Sequence, residues 1–286
     1  MPDMFARLNP ALLEPRDGGD ALRLLDAAGF EQGVLLSEAY IFTSPFATPG
    51  LADPAGLTRA ENRFNVDTAL ASNGRLKAFI GVNPFSATAS DELTYWISQP
   101  GVSGVKLHLG NSGFDPSSDQ NLVMLGDMVA QASAAGLSLI VHVRHPGPYQ
   151  PSDTERFIRS VLSRIRGTVV QLAHGGGGGG VAEAVEVLSH YADALDRGAP
   201  GLERLLVDLS VVLVLDPTTP DNKALLDGLV TLARRIGIGR FVTGSDWPTL
   251  CSPAEHDALI VSQLPFTQEE WAVIAANRAA YLDAPA

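Results

Sequence analysis

Short apolar runs of β character recur along this chain, separated by Ala- and Leu-rich stretches of helical period. That alternation constrains the fold more than any other feature. Strands are predicted at residues 33–37, 76–83, 104–109, 137–144, 168–174, 205–212 and 240–246. Helices are predicted at 17–28, 59–72, 89–98, 121–135, 153–165, 181–195 and 222–236, with Ser152 and Asp221 as N-caps. A last helix, 268–282, follows Thr267 as cap, and Glu270 would complete a capping box. Strand ends recur at roughly 25–45-residue intervals, the length of a βα unit. Such regularity predicts a single parallel-sheet domain spanning residues 1–286, and no Ser-, Gly- or Pro-rich linker divides it. A TIM-type (β/α)8 barrel needs one strand more than the seven visible here. The residues before 17 hold Pro2, Pro10 and Pro15 and no β-run, so the strand expected to be lacking is the first, upstream of Met1.

Three of the apolar runs end on polar side chains. "SLIVHVRHP" ends on His142 and Arg144, "TVVQLAHGG" on His174, and "RFVTGSDWP" on Asp246. In an α/β barrel the C-terminal ends of the strands build the active site. Two histidines and an aspartate placed there point to a metal-centred hydrolytic site, because imidazole and carboxylate are good ligands for a divalent metal such as zinc. Each could instead serve the fold, His142 by capping the barrel, His174 by anchoring its loop, Asp246 by capping the turn before Pro248. Arg144 lies two residues after His142, so both face one side, and its guanidinium suits a substrate carboxylate. Lys106 and His108 share a face of "GVKLHLG" and are further candidates for substrate contact. A carboxylated Lys106 bridging two metals is the less favoured reading. His190 and His256 fall on helices as surface or packing residues, and Cys251 has no sequence-adjacent base.

The glycines at 175–180 satisfy the dinucleotide-binding pattern, as any polyglycine run does. Their position, far into the chain and directly after His174, fits better a loop that passes close to a bound substrate. Composition narrows the partners. The formal net charge is −12 and the pI about 4.8, which argues against nucleic acid or an anionic membrane. A single cysteine allows no internal disulfide, and neither a signal-peptide core nor a long apolar span is present. The expectation is a cytoplasmic enzyme with a small-molecule substrate.

With these residues placed, the chain resembles the amidohydrolase superfamily, in its amidohydrolase-2 branch of decarboxylases, lactonases and related hydrolases. The resemblance rests on "GVKLHLGNSG", "IVHVR", "QLAHGG", "LLVDLS", "TGSDWP" and "WAVIAANRAAYL", and covers nearly the whole chain. It implies a distorted (β/α)8 barrel in which His142 and Asp246 bind one divalent metal, usually zinc. His174 matches the position that orients the bound water or substrate. The remaining ligands of the family come from a His-x-His pair on the first strand. This sequence has none; its first histidine is His108. The reading favoured is that strand one and its pair lie upstream of Met1; the other is a barrel that works without metal. If the chain is complete, the seam between its first and last strands exposes unpaired backbone, which invites a homo-oligomer or cover by residues 1–16.

These observations lead to an expected hydrolase acting on a small, carboxylated substrate through metal-activated water. Asp246 would take the proton, His174 would position the hydroxide, and Arg144, Lys106 and His108 would hold the substrate. The alternatives are a non-oxidative decarboxylase on the same scaffold, a metal-free lactonase, or an inactive ligand-binding barrel. A nucleotide-binding α/β protein is the most distant.

Overall fold

The structure, a computed structural model, describes residues 14–143, 151–177, 180–210, 219–249 and 251–283. Within them every expected strand forms: β1 Gly33–Leu36, β2 Leu76–Gly81, β3 Val102–His108, β4 Ser138–His142, β5 Val170–Leu172, β6 Leu205–Asp208 and β7 Phe241–Val242. They make one seven-stranded, all-parallel sheet in sequence order. The sheet curls into an open, TIM-like half-barrel. No pairing joins β1 to β7 among the described residues. The helices are α1 Gly18–Ala28, α2 Pro54–Ala71, α3 Ala89–Ile97, α4 Asp119–Ala134, α5 Pro151–Ser160, α6 Val181–Asp196, α7 Pro220–Ile236, α8 Pro253–Gln263 and α9 Gln268–Ala276. At the seam α1 packs on α8, so the helical layer bridges the gap that the sheet leaves.

The pleat sorts the strand residues between two cores. Ala78, Ile80, Val105, Leu107, Leu139, Val141, Leu172 and Val207 face the helices and join the large core. Their neighbours Phe79 and Ile140 face inward and pack with Val169, Ala173, Ala279 and Tyr281. Tyr281 packs edge-on against Phe79 at 5.0 Å between ring centroids. Its hydroxyl donates to Gln171 Oε1 at 2.6 Å. The inner face therefore carries apolar residues at its base. Lys106, His108 and His142, two or four positions further along the same pleat, bring polar groups toward the C-terminal rim.

Local signals explain most helix starts. Thr267 and Glu270 form the expected capping box, and Ser252 with Glu255 forms another at the start of α8. Two expected caps lie inside their helices instead. Ser152 is within α5 and Asp221 within α7. In α7 a proline opens the first turn after Thr219, where its missing N–H costs nothing. The strands are shorter than the apolar runs that mark them. His174 lies in a 3-10 turn, Ala173–Gly176, beyond β5, and Asp246 lies four residues past the end of β7. Both have positive φ, 56° and 53°, outside the β region, so neither side chain is borne on a strand. His256 lies on α8 and is 1 % exposed, the packing rather than the surface alternative expected for it.

Candidate active site

The parallel register sets His108 of β3 directly opposite His142 of β4. Their rings stack at 4.0 Å, only 12° from parallel. His174 closes on the same place from the turn after β5, its ring 4.9 Å from that of His142 and nearly edge-on. Tyr40, from the turn after β1, lies 5.4 Å from His108. Lys106, one pleat below His108, is 3 % exposed. Four of the residues expected from sequence, Lys106, His108, His142 and His174, thus converge at the strand C-termini. Asp246 lies close enough to bear electrostatically on Glu38, Tyr40 and His256. Arg144 lies outside the described residues.

The electrostatics of this cluster keep His108 and His142 neutral. Burial lowers the pKa of His108 to about 3, helped by Lys106 and His174. The backbone N–H of Asn111 donates to His108 Nδ1 at 3.1 Å, so that nitrogen holds its lone pair and Nε2 carries the proton. His142 is pushed well below the usual imidazole range by burial, then by His108, His174 and Lys106. Glu38 is solvent-accessible at the rim yet ringed by protein, as befits a group in a concavity. Loss of surrounding water pushes its carboxyl up; Lys106 and a hydrogen bond from the Tyr40 hydroxyl oppose the shift, and Asp246 adds to it. Burial, then Glu38, raises the Tyr40 phenol well above its ordinary value.

His174 has a single consistent tautomer. Its Nδ1 lies 3.0 Å from the Ser210 carbonyl oxygen and 2.9 Å from Ser210 Oγ. A carbonyl only accepts, so Nδ1 must donate. The Ser210 hydroxyl meanwhile donates to Asp208 Oδ1, leaving its oxygen free to accept from the imidazole. Nε2 then carries the lone pair and has no partner among the described residues. An imidazole prepared this way can accept a proton or bind a metal.

The metal implied by the family resemblance can be tested against these donors. Two imidazoles, His142 and His174, come together, but among the described residues no group of three or more His, Cys, Asp or Glu side chains is placed to hold a metal ion. The donor set as it stands does not fit a metal centre. Clefts of the outer surface, one beside Asp119 and Arg164 and one beside Val169 and Arg278, lie on the helical flank and at the strand N-termini, away from these residues.

The amidohydrolase profile matches residues 41–282. The chain belongs to the amidohydrolase family. No curated protein sequence matches it. Solved structures that resemble this amidohydrolase include the 5-carboxyvanillate decarboxylase of Sphingomonas paucimobilis, 17% identical with a TM-score of 0.63, covering 96% of this chain and 85% of that one. An amidohydrolase from Burkholderia multivorans with bound zinc is 16% identical with a TM-score of 0.62, covering 96% and 91%. A probable 2-pyrone-4,6-dicarboxylic acid hydrolase from Acinetobacter baumannii, with citric acid bound, is 16% identical with a TM-score of 0.57, covering 92% and 88%. At these identities the likeness concerns the barrel. Among the described residues of the amidohydrolase, no helix is long and apolar enough to cross a membrane.

Sequence reading passed over Glu38, Tyr40, Gln171, Asp208 and Ser210. Glu38 and Asp208 carried the signal used for the others, a polar residue closing an apolar run, in "VLLSE" and "LLVD". Tyr40 and Ser210 each lie two residues further on, in turns that periodicity does not describe. Gln171 sits inside a strand, where only the inward pleat reveals its use.

Proposed function

We propose that this amidohydrolase hydrolyses a small carboxylated molecule bound at the C-terminal rim of its half-barrel. The observation that carries the reading is the convergence of Lys106, His108, His142 and His174 on one inward face. The metal-activated form of this chemistry requires donors beyond His142, His174 and Asp246, so the steps are assigned to side chains of this chain. Asp246 accepts one proton of the attacking water, while the His174 Nε2 lone pair accepts a hydrogen bond from the other and aims the oxygen. The new C–O bond forms at the scissile carbonyl, the bond to the leaving group breaks, and Asp246 returns its proton to that group. Lys106 and His108, with Arg144, hold the substrate carboxylate. The proposed setting is the cytoplasm, with a small-molecule substrate, a homo-oligomeric state and no nucleic-acid or membrane partner.

One observation favours a second reading, non-oxidative decarboxylation. Glu38, whose carboxyl is pushed upward by burial and which lies within electrostatic reach of Lys106, is the group the second reading takes as proton donor. There the C–CO2 bond would break and the electron pair left on carbon would take the Glu38 proton. A panel of carboxylated lactones, amides and aromatic acids, assayed for both ring-opened acid and released CO2, separates the two. Acid release lost in Asp246→Asn, with the melting temperature unchanged, supports hydrolysis. Full turnover in Asp246→Asn would overturn the assignment, and CO2 release abolished by Glu38→Gln would replace it with the second.

A further inference from the structure

One carboxylate beneath the rim gathers four hydrogen bonds, and three of them come from His174 and Ser210. Asp208 ends β6 and is 5 % exposed. Its Oδ1 accepts from the backbone N–H of His174 at 2.9 Å, from the backbone N–H of Ser210 at 3.1 Å, and from the Ser210 hydroxyl. Its Oδ2 accepts from Gln171 Nε2 at 2.8 Å. Gln171 is in turn fixed by the Tyr281 hydroxyl. A continuous chain of donors and acceptors therefore runs from the barrel base to the candidate site: Tyr281, Gln171, Asp208, Ser210, His174.

Each link determines the direction of the next. The Tyr281 hydroxyl occupies Gln171 Oε1, so the amide presents its NH2 to Asp208. The carboxylate, an acceptor only, draws the Ser210 proton toward itself. The serine oxygen can then only accept, and with the Ser210 carbonyl it receives Nδ1–H of His174. The same carboxylate holds the His174 backbone at φ 56° and ψ 39°, a conformation a residue with a side chain adopts rarely and only when its surroundings impose it.

We propose that Asp208 and Ser210 are positioning residues for His174. They hold the imidazole as the Nδ1–H tautomer and turn the Nε2 lone pair toward the reacting water or ligand. Neither touches the substrate. The inference deepens the hydrolase reading above, yet its test needs no turnover, so failure of one is distinguishable from failure of the other.

The experiment is two-bond proton–nitrogen correlation NMR on the full chain labelled with 15N-histidine, at a pH where the imidazoles are neutral. The His174 signals are assigned by their loss in His174→Gln. The expected wild-type pattern is a protonated, pyrrole-type Nδ1 and an unprotonated, pyridine-type Nε2. Asp208→Ala releases the His174 and Ser210 backbone N–H groups that hold the Ser210 carbonyl against Nδ1, so it should convert this single tautomer to a resolvable mixture; Asp208→Asn, the milder variant, should do so in part. An Nε2–H tautomer in the wild type would overturn the proposal without any variant having to fold. A pure Nδ1–H tautomer retained in folded Asp208→Ala would overturn the role of Asp208, leaving the Ser210 carbonyl as the sole determinant.

Discussion

Acid should weaken this fold through His108, and the size of the effect can be worked out. In the unfolded chain a histidine titrates near 6.5; in the structure burial and Lys106 bring His108 down to about 3. Above pH 6.5 both states are neutral and the residue has no pH-dependent effect. Between the two values the unfolded state binds the proton and the folded state does not, so stability falls as pH falls. At pH 5 the gap is about 1.5 pH units, or about 2 kcal/mol at 1.36 kcal/mol per unit. His108 is only half-buried, and solvent screening reduces this toward about 1 kcal/mol. His142 acts in the same direction. Glu38 acts in the opposite one: its carboxyl is raised in the fold, so it regains stability as pH falls through that raised value. The contribution of His108 is isolated by His108→Gln, which keeps an acceptor for the Asn111 N–H. Urea unfolding of wild type and variant at pH 7 and pH 5 is the assay. The stability advantage of wild type over variant should shrink by about 1–2 kcal/mol on acidification. An advantage of equal size at both pH values would refute the claim that the fold holds this imidazole neutral.

Other outcomes follow from packing and charge. Lys106→Met should raise KM about tenfold or more for a carboxylated substrate with a smaller change in kcat, since uniform binding is what it removes; an unchanged KM would remove Lys106 from substrate contact. Trp96→Ala empties a fully buried position and removes the indole N–H from a Glu92 carboxylate that keeps Arg59 and Asn62 as donors, and denaturant unfolding should register a loss of about 3–5 kcal/mol. Gly104→Ala places a Cβ 2.2 Å from a Phe79 ring carbon and 2.4 Å from the Ser138 carbonyl oxygen. Strand and ring must separate, so the melting temperature should fall by the equivalent of about 1–3 kcal/mol. Tolerance of that alanine would mean that β2 and β3 pack less closely than described.

What the sequence determined by itself was the βα order and the strand set. These follow from local periodicity and from caps such as Thr267 with Glu270, which act over a few residues. It also placed Lys106 and His108 on one face of their strand, and His142 with Arg144 on one face of theirs, because the pleat has a fixed period of two. Strand boundaries were less legible, since His174 and Asp246 leave the β region through positive φ, and a side chain with a Cβ gives no local sign of that. Only the tertiary structure decided that His108 and His142 lie opposite one another, because register between strands depends on contacts across the sheet. Likewise, nothing local in "LLVDLS" says that Asp208 collects the His174 backbone, Ser210 and Gln171. Two segments distant in sequence, 171–174 and 208–210, meet there only once β5 pairs with β6, and a buried carboxylate is tolerable in that place because both bring it donors.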